Sequence, residues 1–200
     1  YFSIRIYVMN TIVGMLIVLG VAVLSLFKGS EFITSILVVP EISTMLGAEK
    51  LSALIACGTL IITIFGIGLT CTTMSSISLE GTNLWIKKTL PVSEKEIFKA
   101  KIISNLILTI PAAILSNIIF YVALKFDVIY LMLNIIITIV FSVLSAVLGL
   151  LINVYFPKLD WSNPTVVVKQ SAAVFIGIVV TFASIALPIA VFLLLKVENI

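Results

Sequence analysis

Charged side chains are scarce in this 200-residue chain and unevenly placed: Asp, Glu, Lys and Arg make up 10% of it, yet five of the twelve basic residues fall between Lys87 and Lys101. The segment that holds them reads SSISLEGTNLWIKKTLPVSEKEIFKAK, from Ser75 to Lys101. Glu96 can pair with Lys99 at i, i+3. Lys95 and Lys99 stand at i, i+4, a like-charge pair that costs a few tenths of a kcal/mol on an isolated helix. Something acidic is expected to compensate. Anionic lipid headgroups, at about 1 kcal/mol per basic residue near the surface, and an acidic surface on a partner protein are both open readings.

Other chemistry is excluded by what the chain lacks. It has no histidine, and so neither the commonest metal ligand nor the usual general base; histidine zinc sites and Ser-His or Cys-His catalysis fall away, and no cofactor is implied. The two cysteines, Cys57 and Cys71, lie 14 residues apart on one apolar segment, about 21 Å along a helix. They are too far apart to pair within it and read as buried packing thiols. A net charge of +3 is too small to imply nucleic acid.

The elements that must position these residues follow from composition. At 62% hydrophobic, against about 45–50% in soluble domains, the chain cannot cover a globule with polar surface. Stretches free of Asp, Glu, Lys and Arg run over residues 6–27, 51–79, 102–124, 128–157 and 170–195, each at or beyond the roughly 20 residues a helix needs to cross a bilayer. They are too long and too uniformly apolar for the alternating strands of a membrane β-barrel. The expectation is an all-α bundle forming a single transmembrane domain, with spans near 6–27, 51–74, 102–124, 128–155 and 171–195 and loops near 75–101 and 156–170. The chain opens on Tyr1 without a signal peptide, and reads as an interior piece of a larger membrane protein. Residues 28–50 hold two short apolar runs about Pro40, either a re-entrant helix pair or a surface loop.

Orientation follows from the basic residues. With the N-terminus inside, the inner side receives Arg5, Lys87, Lys88, Lys95, Lys99, Lys101, Lys158 and Lys169, and the outer side Lys28, Lys50, Lys125 and Lys196. Eight against four places both loops in the cytoplasm. Trp85 and Trp161 then sit on the cytoplasmic side, at headgroup level.

No span carries a charge, so the coupling carboxylates and lysines of ion-driven carriers are missing here. The polar residues noted within the spans are Asn105, Ser116, Asn117, Asn134, Ser142, Thr181 and Ser184, and they read as packing glue. Ser142/Ala146 and Ser145/Gly149 form two small-xxx-small pairs that let a neighbouring helix approach closely. Pro111 and Pro188 lie inside spans three and five, where each removes a backbone donor.

The first loop has its own local signals. Gly81 is expected to interrupt the helix continuing from span two, with Thr82 opening a short helix to Lys88. Pro91 biases Leu90 away from helical geometry. Ser93-x-x-Glu96 is a capping box, so a helix from Glu94 runs straight into span three. The result is a short helix held crosswise between two spans.

The string SLEGTNLWIKKTLPVSEKEIFKAK resembles the cytoplasmic segment of bacterial ABC exporter permeases, in particular the large permeases of Gram-positive bacteria, at Glu80, Gly81, Trp85, Lys88, Leu90, Pro91, Val92 and Ser93. The opening YFSIRIYVMNTIVG and the later FPKLDWSNPTVVVKQS, with Pro157, Leu159, Trp161, Lys169 and Gln170, are similar to the same family. The basic helix expected before the first span is missing. The resemblance implies a permease subunit whose Glu80–Ser93 segment couples to a separate ATPase, with Leu159, Trp161, Lys169 and Gln170 as a second cytoplasmic contact, and pairing of permease halves as a homo- or heterodimer. No G-x-x-x-x-G-K-[ST] occurs, which puts ATP hydrolysis on another polypeptide and makes this chain no enzyme. The competing reading is a membrane scaffold or sensor whose basic loop binds anionic lipid or a regulator. An intramembrane enzyme would need converging polar groups that scattered Asn, Ser and Thr do not supply.

Overall fold

The computed structural model describes residues 5–37, 48–83, 89 and 91–197. Among them the chain is all-helical. The helices are α1 (Arg5–Leu37), α2 (Ala48–Leu69), α3 (Glu94–Leu124), α4 (Val128–Tyr155), α5 (Pro164–Gln170) and α6 (Ala172–Val197), with 3₁₀ turns at Thr72–Ser75 and Ser78–Asn83. Five helical segments are long and apolar enough to cross a membrane: Thr11–Gly29, Lys50–Gly81, Glu94–Leu124, Val128–Tyr155 and Thr165–Ser184. This is a multi-pass architecture. Its helices run alternately between one end, which carries the 3₁₀ turns and the 156–163 loop, and a far end marked by the short Lys125–Asp127 connection.

Helix α1 packs chiefly on α3, and α3 on α4. One apolar core joins Val18, Ala22, Ala56, Phe120 and Leu131, and a smaller one joins Met15, Ile67 and Ala113. Much of the remaining interior is polar. On α4 the buried face reads Asn134, Thr138, Ser142, Ser145, Gly149 and Asn153, while Ile129, Leu133, Ile136, Val140 and Leu151 are exposed. Such a distribution suits a bilayer, where burying Leu brings little gain and close packing with interhelical hydrogen bonds holds helices together. Asn134 donates from Nδ2 to the Ala56 carbonyl at 3.0 Å and to Thr59 Oγ1 at 3.2 Å, tying α4 to α2.

Several expectations need revision. Helix α1 does not stop at Phe27 but continues through Lys28 to Leu37, 33 residues in all and about 50 Å long. Lys28 ends the apolar run, not the helix, and Gly29 serves as a packing point against Ala123 and Leu124. Residues 38–47, which include the second proposed re-entrant run, lie outside the described residues. Span two loses α-helical form already at Leu69, ahead of the interruption expected at Gly81, which is present as a second, separate break. The 156–170 stretch is not all loop, because Asn163 Oδ1 accepts from the Thr165 amide at 3.0 Å and Pro164 opens α5. The capping box stands as expected: Glu96 N donates to Ser93 Oγ at 3.4 Å and Ser93 N to Glu96 Oε2 at 3.2 Å. Of the cysteines, Cys71 is buried, but Cys57 is exposed on the flank of α2.

At Gly149, one of the small residues of α4, the close neighbour is the first 3₁₀ turn. A Cβ there would stand 2.6 Å from both Cys71 Sγ and Thr73 Oγ1. Thr73 Oγ1 donates to the Ala146 carbonyl at 2.8 Å and Cys71 Sγ to that of Ser145 at 3.3 Å. Ser142 instead donates to Thr138 of its own helix. Gly149→Leu is therefore expected to destabilise the bundle by about 1–3 kcal/mol or more through overpacking, read as a lower Tm and loss of monodispersity in detergent. Gly20→Leu, where a Cβ meets nothing within 4 Å, is expected to leave both unchanged.

Candidate functional site

Between Thr70 and Ser78 the sequence TCTTMSSIS is rich in hydroxyl side chains, which compete with the backbone for hydrogen bonds and weaken helix interiors. The last helical bond is shared, with Thr70 N donating to Gly66 O at 3.0 Å and Ile67 O at 3.1 Å. Cys71 then turns extended, at φ −61° and ψ 98°. Residues 71–75 are all buried, so the amides and carbonyls freed by the break need partners within the protein.

Two asparagines accept from three of the amides of the broken stretch. Asn105 of α3 accepts on Oδ1 from the Thr72 amide at 2.8 Å and the Thr72 hydroxyl at 3.0 Å. Asn153 of α4 accepts on Oδ1 from Ile77 N at 2.8 Å and Ser78 N at 3.1 Å, and donates from Nδ2 to Ser78 Oγ at 2.7 Å. Both side chains are fully buried. The Lys101 ammonium reaches back from α3 to the Ser76 carbonyl at 2.8 Å and to the Glu80 carboxylate, in a largely buried ion pair.

The second loop closes over this segment. Ser78 Oγ accepts from Lys158 N at 2.9 Å, and Trp161 Nε1 donates to Ser78 O at 2.7 Å. Gly81 adopts φ 52° and ψ −132°, a region nearly closed to residues with a Cβ. A Cβ there would stand 3.0 Å from Trp161 Nε1 and 3.2 Å from the Leu159 carbonyl. Glycine is thus required twice, for its conformation and for the approach of the second loop. Beside the junction, Ile77, Glu80, Val92, Phe98, Lys101 and Leu159 help to line an open groove of about 510 Å³ with an apolar floor.

The residues singled out from sequence therefore separate. Glu80, Gly81, Leu159 and Trp161, assigned to two different contacts, meet in one junction. Pro91 and Ser93 are exposed at the start of α3, and Gln170 is exposed at the end of α5. Lys169 belongs to α5. Trp85, Lys88 and Leu90 lie outside the described residues, as does most of the proposed Thr82–Lys88 helix. Sequence reasoning missed Asn153, Ser78 and the inward role of Lys101. Asn153 was within reach: Asn134, Thr138, Ser142, Ser145, Gly149 and Asn153 recur at the three- and four-residue spacing of one helix face.

No protein-family model, curated protein or solved structure matches the chain. The functional reading rests on the junction and on the sequence.

Replacing Asn153 or Asn105 by Leu leaves buried amides unpaired, at about 1–3 kcal/mol for each group. Each variant is expected to lower the Tm of the purified protein by several degrees. Asn117→Leu is the contrast, since among the described residues the Asn117 carboxamide bonds only Ala113 O of its own helix and its Oδ1 has no partner; its Tm is expected to hold or rise.

Proposed function

We propose that the chain is a membrane-spanning permease subunit of an ATP-driven ABC transporter, an exporter, whose energy comes from a separate ATPase subunit docking on the Glu80–Ser93 segment. The observation that carries this reading is the junction. The segment leading into the docking loop is bonded to α3 through Asn105 and Lys101, to α4 through Asn153 and Ala146, and to the second loop through Trp161. A force applied to the loop is passed to several spans together, which is what a lever between an ATPase and a membrane pathway requires.

The positive-inside bias supports a cytoplasmic position for the junction, in a bacterial plasma membrane. Pairing of permease halves as a homo- or heterodimer belongs to the same reading. A second reading has its own support: Lys95 and Lys99 are exposed at the start of α3, so a scaffold or sensor that binds anionic lipid there is the alternative.

The two readings divide on variants of the full transporter. Trp85→Ala and Lys88→Glu, on the docking surface, are expected to weaken co-purification with the ATPase, by about 2 kcal/mol if they are hot spots. Trp161→Phe is expected to keep the complex but lose the change in ATP turnover that the permease imparts. Undiminished association and turnover in all three variants would contradict the proposal and favour the scaffold.

A further inference from the structure

A second feature lies at the opposite end of the bundle and is independent of the transport reading. Between α1, α2 and α3 runs a lateral groove of about 590 Å³, lined by residues that include Leu24, Lys28, Leu54, Gly58, Ile62 and Leu124. Its size is that of a small-molecule site, about 300–1,000 Å³. The walls are almost wholly apolar. Gly58 leaves the floor open, since a Cβ there would meet no heavy atom within 4 Å.

The charge at the mouth identifies the occupant. Lys28 is exposed, stands one helical turn beyond Leu24 on the same face, and is the first charge after the apolar run of α1. That places its ammonium at the height of lipid headgroups, where a long basic side chain extends to the interface. Among the described residues no hydrogen-bond or ion-pair partner is found for it. We infer that this groove is a binding site for an anionic phospholipid, with one acyl chain lying along Leu24, Leu54 and Ile62 and the phosphate paired with Lys28. A second copy of the chain is disfavoured as occupant, because a two-fold contact through the groove would oppose Lys28 to Lys28.

The test uses the full chain in phosphatidylcholine nanodiscs, with photoactivatable phosphatidylglycerol or phosphatidylcholine carrying the reactive group in the acyl chain. Labelled peptides are mapped by mass spectrometry. Phosphatidylglycerol is expected to label the Leu24, Leu54 and Ile62 peptides about five-fold more than phosphatidylcholine, the preference one basic residue gives at an anionic lipid. Lys28→Gln is expected to remove that preference. Gly58→Phe, which fills the groove, is expected to reduce labelling by both probes, while Ile136→Phe on the exposed face of α4 leaves it unchanged. If Gly58→Phe does not assemble, Lys28→Gln decides alone. Equal labelling by the two lipids in the unaltered chain, a preference that survives Lys28→Gln, or chain-to-chain cross-links through groove residues would overturn the inference.

Discussion

Backbone that leaves helical form inside an apolar bundle must find every hydrogen-bond partner within the protein. Much of this structure follows from that requirement at Thr70–Ser78. Asn105 and Asn153 each use one carboxamide oxygen to take two donors, and each comes from a different helix. The positions of α3 and α4 are thereby set relative to the end of α2. Removing either oxygen would expose the full desolvation cost of the amides it serves, which exceeds the net worth of an ordinary hydrogen bond.

The interior is correspondingly polar in part. Hydroxyls and carboxamides share the buried faces of α3 and α4 with apolar side chains such as Phe120 and Leu131, while many Leu, Ile and Val side chains are exposed. Small residues at Ser145, Ala146 and Gly149 make room for the 3₁₀ turn, and the carbonyls of Ser145 and Ala146 accept from Cys71 and Thr73. The ion pair of Lys101 with Glu80 and the indole of Trp161 continue the pattern toward the end of the bundle. Backbone irregularity, polar interior and the meeting of the two loops are one connected arrangement.

Its parts were unequally legible in the sequence. Five spans were evident because uncharged runs of bilayer length need only counting, and the Ser93–Glu96 box was evident because its signal is local. The unwinding at Thr70 was not, since TCTTMSSIS is apolar enough by its neighbours to count as span and its cost is offset by Asn105 and Asn153, more than 30 and 70 residues away. The extension of α1 to Leu37 was hidden by Lys28, a charge that marks a membrane boundary without ending a helix. Glu80, Gly81, Leu159 and Trp161 could be selected individually from sequence, but their convergence depends on the positive-φ geometry of Gly81 and on tertiary pairing. A resemblance carried by the loops does not reveal that Lys101 folds inward while Lys95 and Lys99 remain exposed.

The central claim, that the broken stretch is a locked structural element rather than a loose loop, is most directly tested by hydrogen exchange of the full chain in lipid nanodiscs. The amides of Thr72, Ile77 and Ser78 are not bonded as in an α-helix, yet their protection is expected to match that of the α3 and α4 interiors, and to fall at Thr72 in Asn105→Leu and at Ile77 and Ser78 in Asn153→Leu. Exchange of these three amides at the rate of an exposed loop in the unaltered protein would contradict the account.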